Sequence, residues 1–237
     1  MVEGKEKHKR RRMNMDIHGA VDFLGKLKAN NNREWFQANK SLYDDARGEF
    51  EQCIAILIPV IRGIDPDVDV VSPKECMFRI FRDVRFSRDK SPYKTNFGAF
   101  IARGGRKSPY AGYYLHIEPG ASFVGGGAYM PESRYLKAIR TEVFENTEEY
   151  KTIIQSEAFR KYFGGIFGEK LKTAPKGFPK EFPDIDLLKN KHYAVAHRVE
   201  DGFWFSDNLI DELTEIFSAL SVFNRFLNNA IDNAAKG

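Results

Sequence analysis

Apolar and polar residues alternate along this chain with two different periods, and the period changes near residue 76. Before that point Val21, Leu24 and Leu27 recur at helical spacing behind Asp16, a helix-capping residue type, and the run stops at Asn30-Asn31-Asn32. A short helix with Trp35 and Phe36 follows. A longer one carries Tyr43, Ala46, Phe50, Cys53, Ile54, Leu57, Ile58 and Ile61 on one stripe, weakened by Gly48 and kinked or ended by Pro59. From Cys76 the period is two. Phe78, Ile80, Val84 and Phe86 share one parity and Arg79, Phe81, Asp83 and Arg85 the other, which predicts a strand that buries the first set. Residues 95–103 and 111–118 read as further strands, Pro119-Gly120 as a turn, and residues 121–130 as a fourth strand. Connections this short predict antiparallel pairing.

Helical spacing returns after Pro131 with Tyr135, Leu136, Ile139 and Val143, and shorter helices reach about Tyr162. Residues 164–183, rich in Gly, Pro and Lys, read as an ordered loop, and residues 192–199 as another strand. Ser206 is the expected cap of a last helix with Leu209, Leu213, Ile216, Phe217, Leu220, Phe223 and Leu227 on one face. No repeat or linker divides the chain. The pattern predicts a single α+β domain over residues 16–237, with a central, mainly antiparallel sheet and helices from both chain ends packed on it.

Charge changes this picture at two places. Residues 1–12 hold six basic and two acidic groups, equal to the whole chain's net charge of +4, and with no apolar residue to bury KEKHKRRR reads as part of a disordered basic arm over residues 1–15. The rest is neutral overall but uneven. Residues 74–107 carry ten basic against three acidic groups, a local +7 inside an otherwise acidic body, unlike the broad basic face of a general nucleic-acid binder. No apolar run approaches the ~18–20 residues of a membrane span. The N-terminus has no apolar signal core, and Cys53 and Cys76 stand far apart. The expectation is a cytoplasmic protein with two reduced cysteines and no membrane partner.

The densest cluster, RIFRDVRFSRDKSPYK over residues 79–94, interleaves six cations with apolar residues and has only Asp83 and Asp89 to offset them. Uncompensated charge is costly near a core, so the pattern points to a site for an anion. Arg79, Arg82, Arg85, Lys90 and Lys94 are the candidate anion ligands, with Tyr93 donating a hydrogen bond; arginine forks suit phosphate or carboxylate. Asp83 would orient the arginines or act as a base weakened by its cationic neighbours. Tyr93 could transfer a proton, and His116 alternates with Tyr114 and Glu118 on one face of its strand, so Asp83, Tyr93 and His116 are the catalytic candidates. No HxxxH, HxH or HExxH spacing occurs and the run Gly125-Gly126-Gly127 lacks a following GK[ST], so neither metal nor cofactor is expected.

The leading reading is a domain that binds a small phosphorylated or carboxylated ligand, and a candidate enzyme. Two readings compete with it. One is a nucleic-acid-binding module, with Phe81, Phe86, Phe97, Phe100 and Tyr93 as stacking surfaces and the arm on phosphates. The other is a structural or interaction scaffold in which Arg82, Asp83, Arg85 and Glu118 form a buried ion-pair network.

The same stretch, with NNREWFQANKSLYD before it and GYYLHIEPGASFVGGGAYMP and LKTAPKGFP after it, resembles the bacterial proteins catalogued as domain of unknown function 2461. The R-x-x-R-D-x-R-F…K-x-P-Y-K signature carries the resemblance, which covers nearly everything from Phe23 onward. It implies one α+β domain of about this length and assigns no activity and no catalytic residue; the basic arm lies outside it.

Overall fold

Four short strands, β1 (Phe97–Ile101), β2 (Gly112–Ile117), β3 (Phe123–Ala128) and β4 (Tyr193–Arg198), pair antiparallel in chain order in the computed structural model, which describes residues 15–235. Each lies within a segment whose alternation predicts a strand. The register puts Ala99, Leu115 and Val124 on one face and Gly98, His116 and Phe123 on the other.

The first face is the core. Helices α1 (His18–Ala29) and α3 (Lys40–Ile64) pack on each other, and α3 reaches β1, where Phe50 stacks on Phe97 at 5.4 Å. The last helix, α9 (Leu209–Ala235), lies across β3 and β2; its Phe217 meets Tyr113 edge-on at 5.3 Å. Burying such aromatic pairs contributes about 0.5–1.5 kcal/mol beyond their area. Buried Asn224 donates to the Gly112 carbonyl at 3.0 Å and so fixes α9 to the start of β2. The short α2 (Arg33–Ala38) is capped by the Asn32 side chain, and α4 (Pro73–Cys76) leads toward the sheet.

Between β3 and β4 the chain makes α5 (Ser133–Glu145), α6 (Thr147–Gln155), α7 (Glu157–Tyr162), an irregular stretch and α8 (Ile185–Leu188). α5 packs beside α9. The 164–183 loop is thus where the Gly and Pro content places it, and Phe167 donates its N–H to the Ala194 carbonyl on the free side of β4.

Three expectations are corrected. Pro59 does not end α3, which runs on to Ile64. The proline is exposed, and so is Ala55, so water can serve the carbonyl whose helical bond Pro59 cannot make. Helix α9 starts three residues after Ser206, whose hydroxyl instead donates to Glu212 at 2.6 Å and accepts from the Asn208 N–H. Residues 78–86 form no strand. Residues 1–14 of the arm lie outside the described residues, whereas Met15 packs into the core.

Candidate functional site

After α4 the chain makes an irregular hairpin over residues 77–94. Phe78 donates to Gly98 at 2.9 Å, Arg82 to Pro92 at 3.0 Å and Lys94 to Ile80 at 2.8 Å, and the only bridges are Met77 to Ala99 and Phe81 to Tyr93. Side chains explain why no ladder forms. Asp83 accepts from the Arg85 N–H and Asp89 from the Ser91 N–H, local turns that compete with strand pairing, and Pro92 has no N–H to give. The expected buried parity set is also split. Ile80 is buried, but Phe78 is partly exposed and Phe86 is 96% exposed.

The cations separate accordingly. Arg85 grips Asp83 through two bonds, Nε to Oδ1 at 2.9 Å and Nη2 to Oδ2 at 2.6 Å, on the exposed loop. That pair lowers the Asp83 carboxyl, with help from the backbone N–H of Arg85 and the charge of Arg79, and it raises the Arg85 guanidinium. It is a solvated pair and not a buried staple. Lys90 donates to the Val84 carbonyl at 3.0 Å, also on the exposed loop. Arg82 pairs with Asp89 and lies 3.3 Å from the Ser87 hydroxyl.

A cavity of about 280 Å³ opens between this hairpin and the end of α1. Arg82, Tyr93 and Lys94 line it, as do Lys28 of α1, Asp89 and Asn96. Arg79, Arg85 and Lys90 do not line it, nor does Asp83. Three cationic side chains therefore border one concavity, and one of them, Lys28, comes from outside the basic cluster. Asn31 builds the junction. Its amide donates to the Tyr93 carbonyl at 3.0 Å and its oxygen accepts the Tyr93 N–H at 3.2 Å, while the Tyr93 ring stacks on Phe36 at 3.9 Å.

Lys94 is the exceptional cation. It is half-buried over the Phe78 ring, 5.6 Å from its centroid, and among the described residues it has no carboxylate partner. Burial, then the nearby charge of Arg79, lowers its ammonium below the ordinary lysine range.

Next to the cavity, on the face of the sheet away from the helices, runs a hydrogen-bonded chain. Thr95 donates to Glu118 Oε1 at 2.6 Å, and Glu118 Oε2 lies 3.0 Å from His116 Nε2. His116 Nδ1 lies 3.2 Å from the Tyr114 hydroxyl and 3.4 Å from the Asn96 amide nitrogen. Thr95 and Asn96 also line the cavity, so its wall and the chain share side chains. The arrangement follows from register. Tyr114 and His116 are two apart on β2, and Gly98 opposite His116 leaves room for the phenol; a Cβ there would come within 2.7 Å of the Tyr114 oxygen. His116 also stacks on Phe123 at 4.5 Å.

Burial alone would raise the Glu118 carboxyl, but the bonds from Thr95 and His116, with the charges of His116 and Lys28, outweigh it and hold the group below its ordinary value. Burial pushes the Tyr114 phenol up to about 12. A carboxyl lowered in the fold contributes stability that is complete above its unfolded value of 4.5 and is lost as the pH falls through the lowered folded value. Melting temperatures recorded from about pH 5 downward should therefore fall more steeply for wild type than for Glu118→Gln.

Of the catalytic candidates, His116 stands in this chain, Tyr93 is buried at the cavity wall, and Asp83 lies outside on the hairpin. Lys28, Thr95 and Asn96 were not among the candidates. Lys28 resembles any lysine in the last turn of a helix, where the helix dipole favours it, and nothing local marks its approach to a hairpin more than fifty residues away. Among the aromatics, Tyr93 and Phe97 are in the core, while Phe81 and Phe86 are exposed. Cys53 and Cys76 are buried and unpaired, and burial pushes their thiols up to about 12 and about 11. No helix among the described residues is long and apolar enough to cross a membrane.

The model of a family described as conserved hypothetical protein (DUF2461) matches residues 19–226. The chain belongs to that family. Every residue of the cavity and of the Thr95–Glu118–His116–Tyr114 chain falls inside the matched span, and the basic arm falls outside it. No curated protein and no solved structure matches the chain.

Proposed function

We propose that this member of the family binds a small phosphorylated or carboxylated molecule in the cavity, with Lys28, Arg82 and Lys94 around its anionic group. The observation that carries the reading is Lys94, a half-buried cation repelled by Arg79 and without a carboxylate to balance it. An uncompensated charge in such a place costs stability, and a bound anion would offset that cost. Asn31 and Asn96 add amide groups at the walls, and Asp89, which pairs with Arg82, lines the cavity beside it. Two buried, unpaired thiols suit a cytoplasmic setting.

Titration of the full chain with inorganic phosphate, and separately with acetate, at ionic strength held constant with chloride, tests this. Amide resonances around Lys28, Lys94 and Asn96 should shift and saturate, Lys28→Met should weaken the binding several-fold, and Lys90→Met should leave it unchanged. The two anions separate a phosphate site from a carboxylate site. No saturable shift with either anion would remove the reading. The exposed Phe86 ring, with the Arg85 guanidinium 5.9 Å from its centroid, favours nucleic acid as a second reading. Binding of a single-stranded oligonucleotide that Phe86→Ser abolishes and Lys28→Met does not would favour it.

A further inference from the structure

The walls of the cavity constrain what its ligand carries besides an anion. We infer that the molecule bound there is the phosphate monoester of a polyol, such as a sugar phosphate, with its hydroxyl groups turned toward Asn31, Asp89, Ser91 and Thr95. For its charged end this rests on the anion-binding reading; the rest of the molecule is assigned from the other side chains of the wall.

Charge selects phosphate over carboxylate. Lys28, Arg82 and Lys94 line the cavity with one carboxylate, Asp89, which is already paired with Arg82. These four groups leave two positive charges. A phosphate monoester, at about −1.5 to −2 near neutral pH, balances them, and a single carboxylate does not. The space of about 280 Å³ lies just below the ~300–1,000 Å³ of pockets for drug-sized ligands. It suits a molecule of one sugar ring and not a dinucleotide.

Hydrogen bonding within the wall decides what it offers to the remainder of the ligand. An ionised carboxylate only accepts, so a hydroxyl bonded to one has committed its single hydrogen. Ser91 Oγ donates to Asp89 Oδ1 at 2.7 Å, and Thr95 Oγ1 to Glu118 Oε1 at 2.6 Å. Both carboxyls lie below their ordinary values, Asp89 through Arg82 and then Ser91, and Glu118 against its burial through Thr95 and His116. The two hydroxyl oxygens, both on partly exposed residues, are therefore left with lone pairs alone. Asn31 is held in one orientation by the N–H and carbonyl of Tyr93, which leaves its amide one hydrogen and one lone pair to offer. Asn96 can turn either end of its amide to a ligand.

Apart from the cations, then, this is a wall of oxygen acceptors with two amides that both give and accept. A ligand group meeting it must donate. Hydroxyls do so without charge and also accept from the amides. An alkyl chain would bury the acceptors unpaired, and an ammonium group would face three cations.

Sorbitol 6-phosphate and n-hexyl phosphate share an open six-carbon chain and differ in their hydroxyls alone. Calorimetry with these two and D-glucose 6-phosphate, at about pH 8 where the esters are dianions, tests the assignment beside the inorganic phosphate and acetate titrations. At least one polyol ester should bind roughly tenfold tighter than hexyl phosphate, the scale of one or two paired hydroxyls. Ser91→Ala and Thr95→Val should each cut that preference several-fold, and Thr95→Ser should keep it. If hexyl phosphate binds as tightly as both polyol esters while inorganic phosphate saturates, the polyol is overturned and anion binding stands. A preference that neither Ser91→Ala nor Thr95→Val reduces overturns it as well. Saturation by acetate and not by phosphate would overturn the phosphate monoester and leave a carboxylate site. No saturation with any of these anions removes both readings.

Discussion

Lys94→Met should abolish most phosphate binding without lowering the melting temperature, and in wild type's own buffer it should melt slightly higher. The two halves of that result come from one fact. In the free protein the ammonium is partly desolvated over Phe78 and repelled by Arg79, so methionine of similar length removes a strained charge and keeps the apolar packing. With the anion bound, the same ammonium makes a charge-assisted hydrogen bond worth about 1.5–3 kcal/mol, or roughly a 10- to 150-fold loss of affinity on removal. The pH dependence has a definite sign. Because the folded ammonium titrates below 10.5, phosphate affinity should begin to fall with rising pH before a free lysine would lose its proton. Calorimetry and thermal melts of the two proteins check both halves together. Lower melting with unchanged affinity would make Lys94 a structural residue and remove the cavity's central cation.

Gly126→Ala should be among the most damaging small substitutions in the sheet. The added methyl would stand 1.9 Å from the Gly112 carbonyl oxygen on β2 and 2.8 Å from Leu220 Cδ2 on α9. Leu220 can change rotamer, but a backbone oxygen inside a paired strand cannot turn away without breaking its ladder. The cost should exceed the ~1–3 kcal/mol usual for overpacking a core. For a domain of this size that corresponds to a fall in melting temperature of roughly 10 °C or more. A soluble variant that melts within a degree or two of wild type would show that the Gly112 carbonyl oxygen sits farther from Gly126 than this distance states.

Much of the fold is legible because local pattern and tertiary burial agree. Leu115 and Ile117 alternate with Tyr114 and His116 over a strand bounded by turn residues, and each ends on the face its parity assigns. The register that brings His116 beside Glu118 is an extension of the same rule. Residues 78–86 break it. Their alternation is interrupted by Phe81-Arg82; Asp83 and Asp89 capture neighbouring amides, and Phe86 finds no core to enter. Parity says which residues share a face only where a ladder exists to hold them. The cavity was half legible for a related reason. Charge density along the chain found Arg82 and Lys94, but Lys28 arrives through the Asn31–Tyr93 junction, a contact between segments that share no local pattern. Pro59 shows the limit of a single-residue rule: the helix runs through a proline whose freed carbonyl, on exposed Ala55, can turn to water.

The seating of α9 on β2 and β3 also has a consequence in time. All four strands precede α9 in the chain, and Tyr113, Leu115 and Val124 are covered on their inner face by a helix that is translated after them. At ~5–20 residues per second, the 27 residues of α9 take on the order of seconds to make. Through that interval α3 can cover β1, but the apolar side of β2 and β3 lacks the helix that packs on it. A ribosome stalled before residue 209 should hold a chain that holdase chaperones bind and proteases cut, and release of α9 should end both at once.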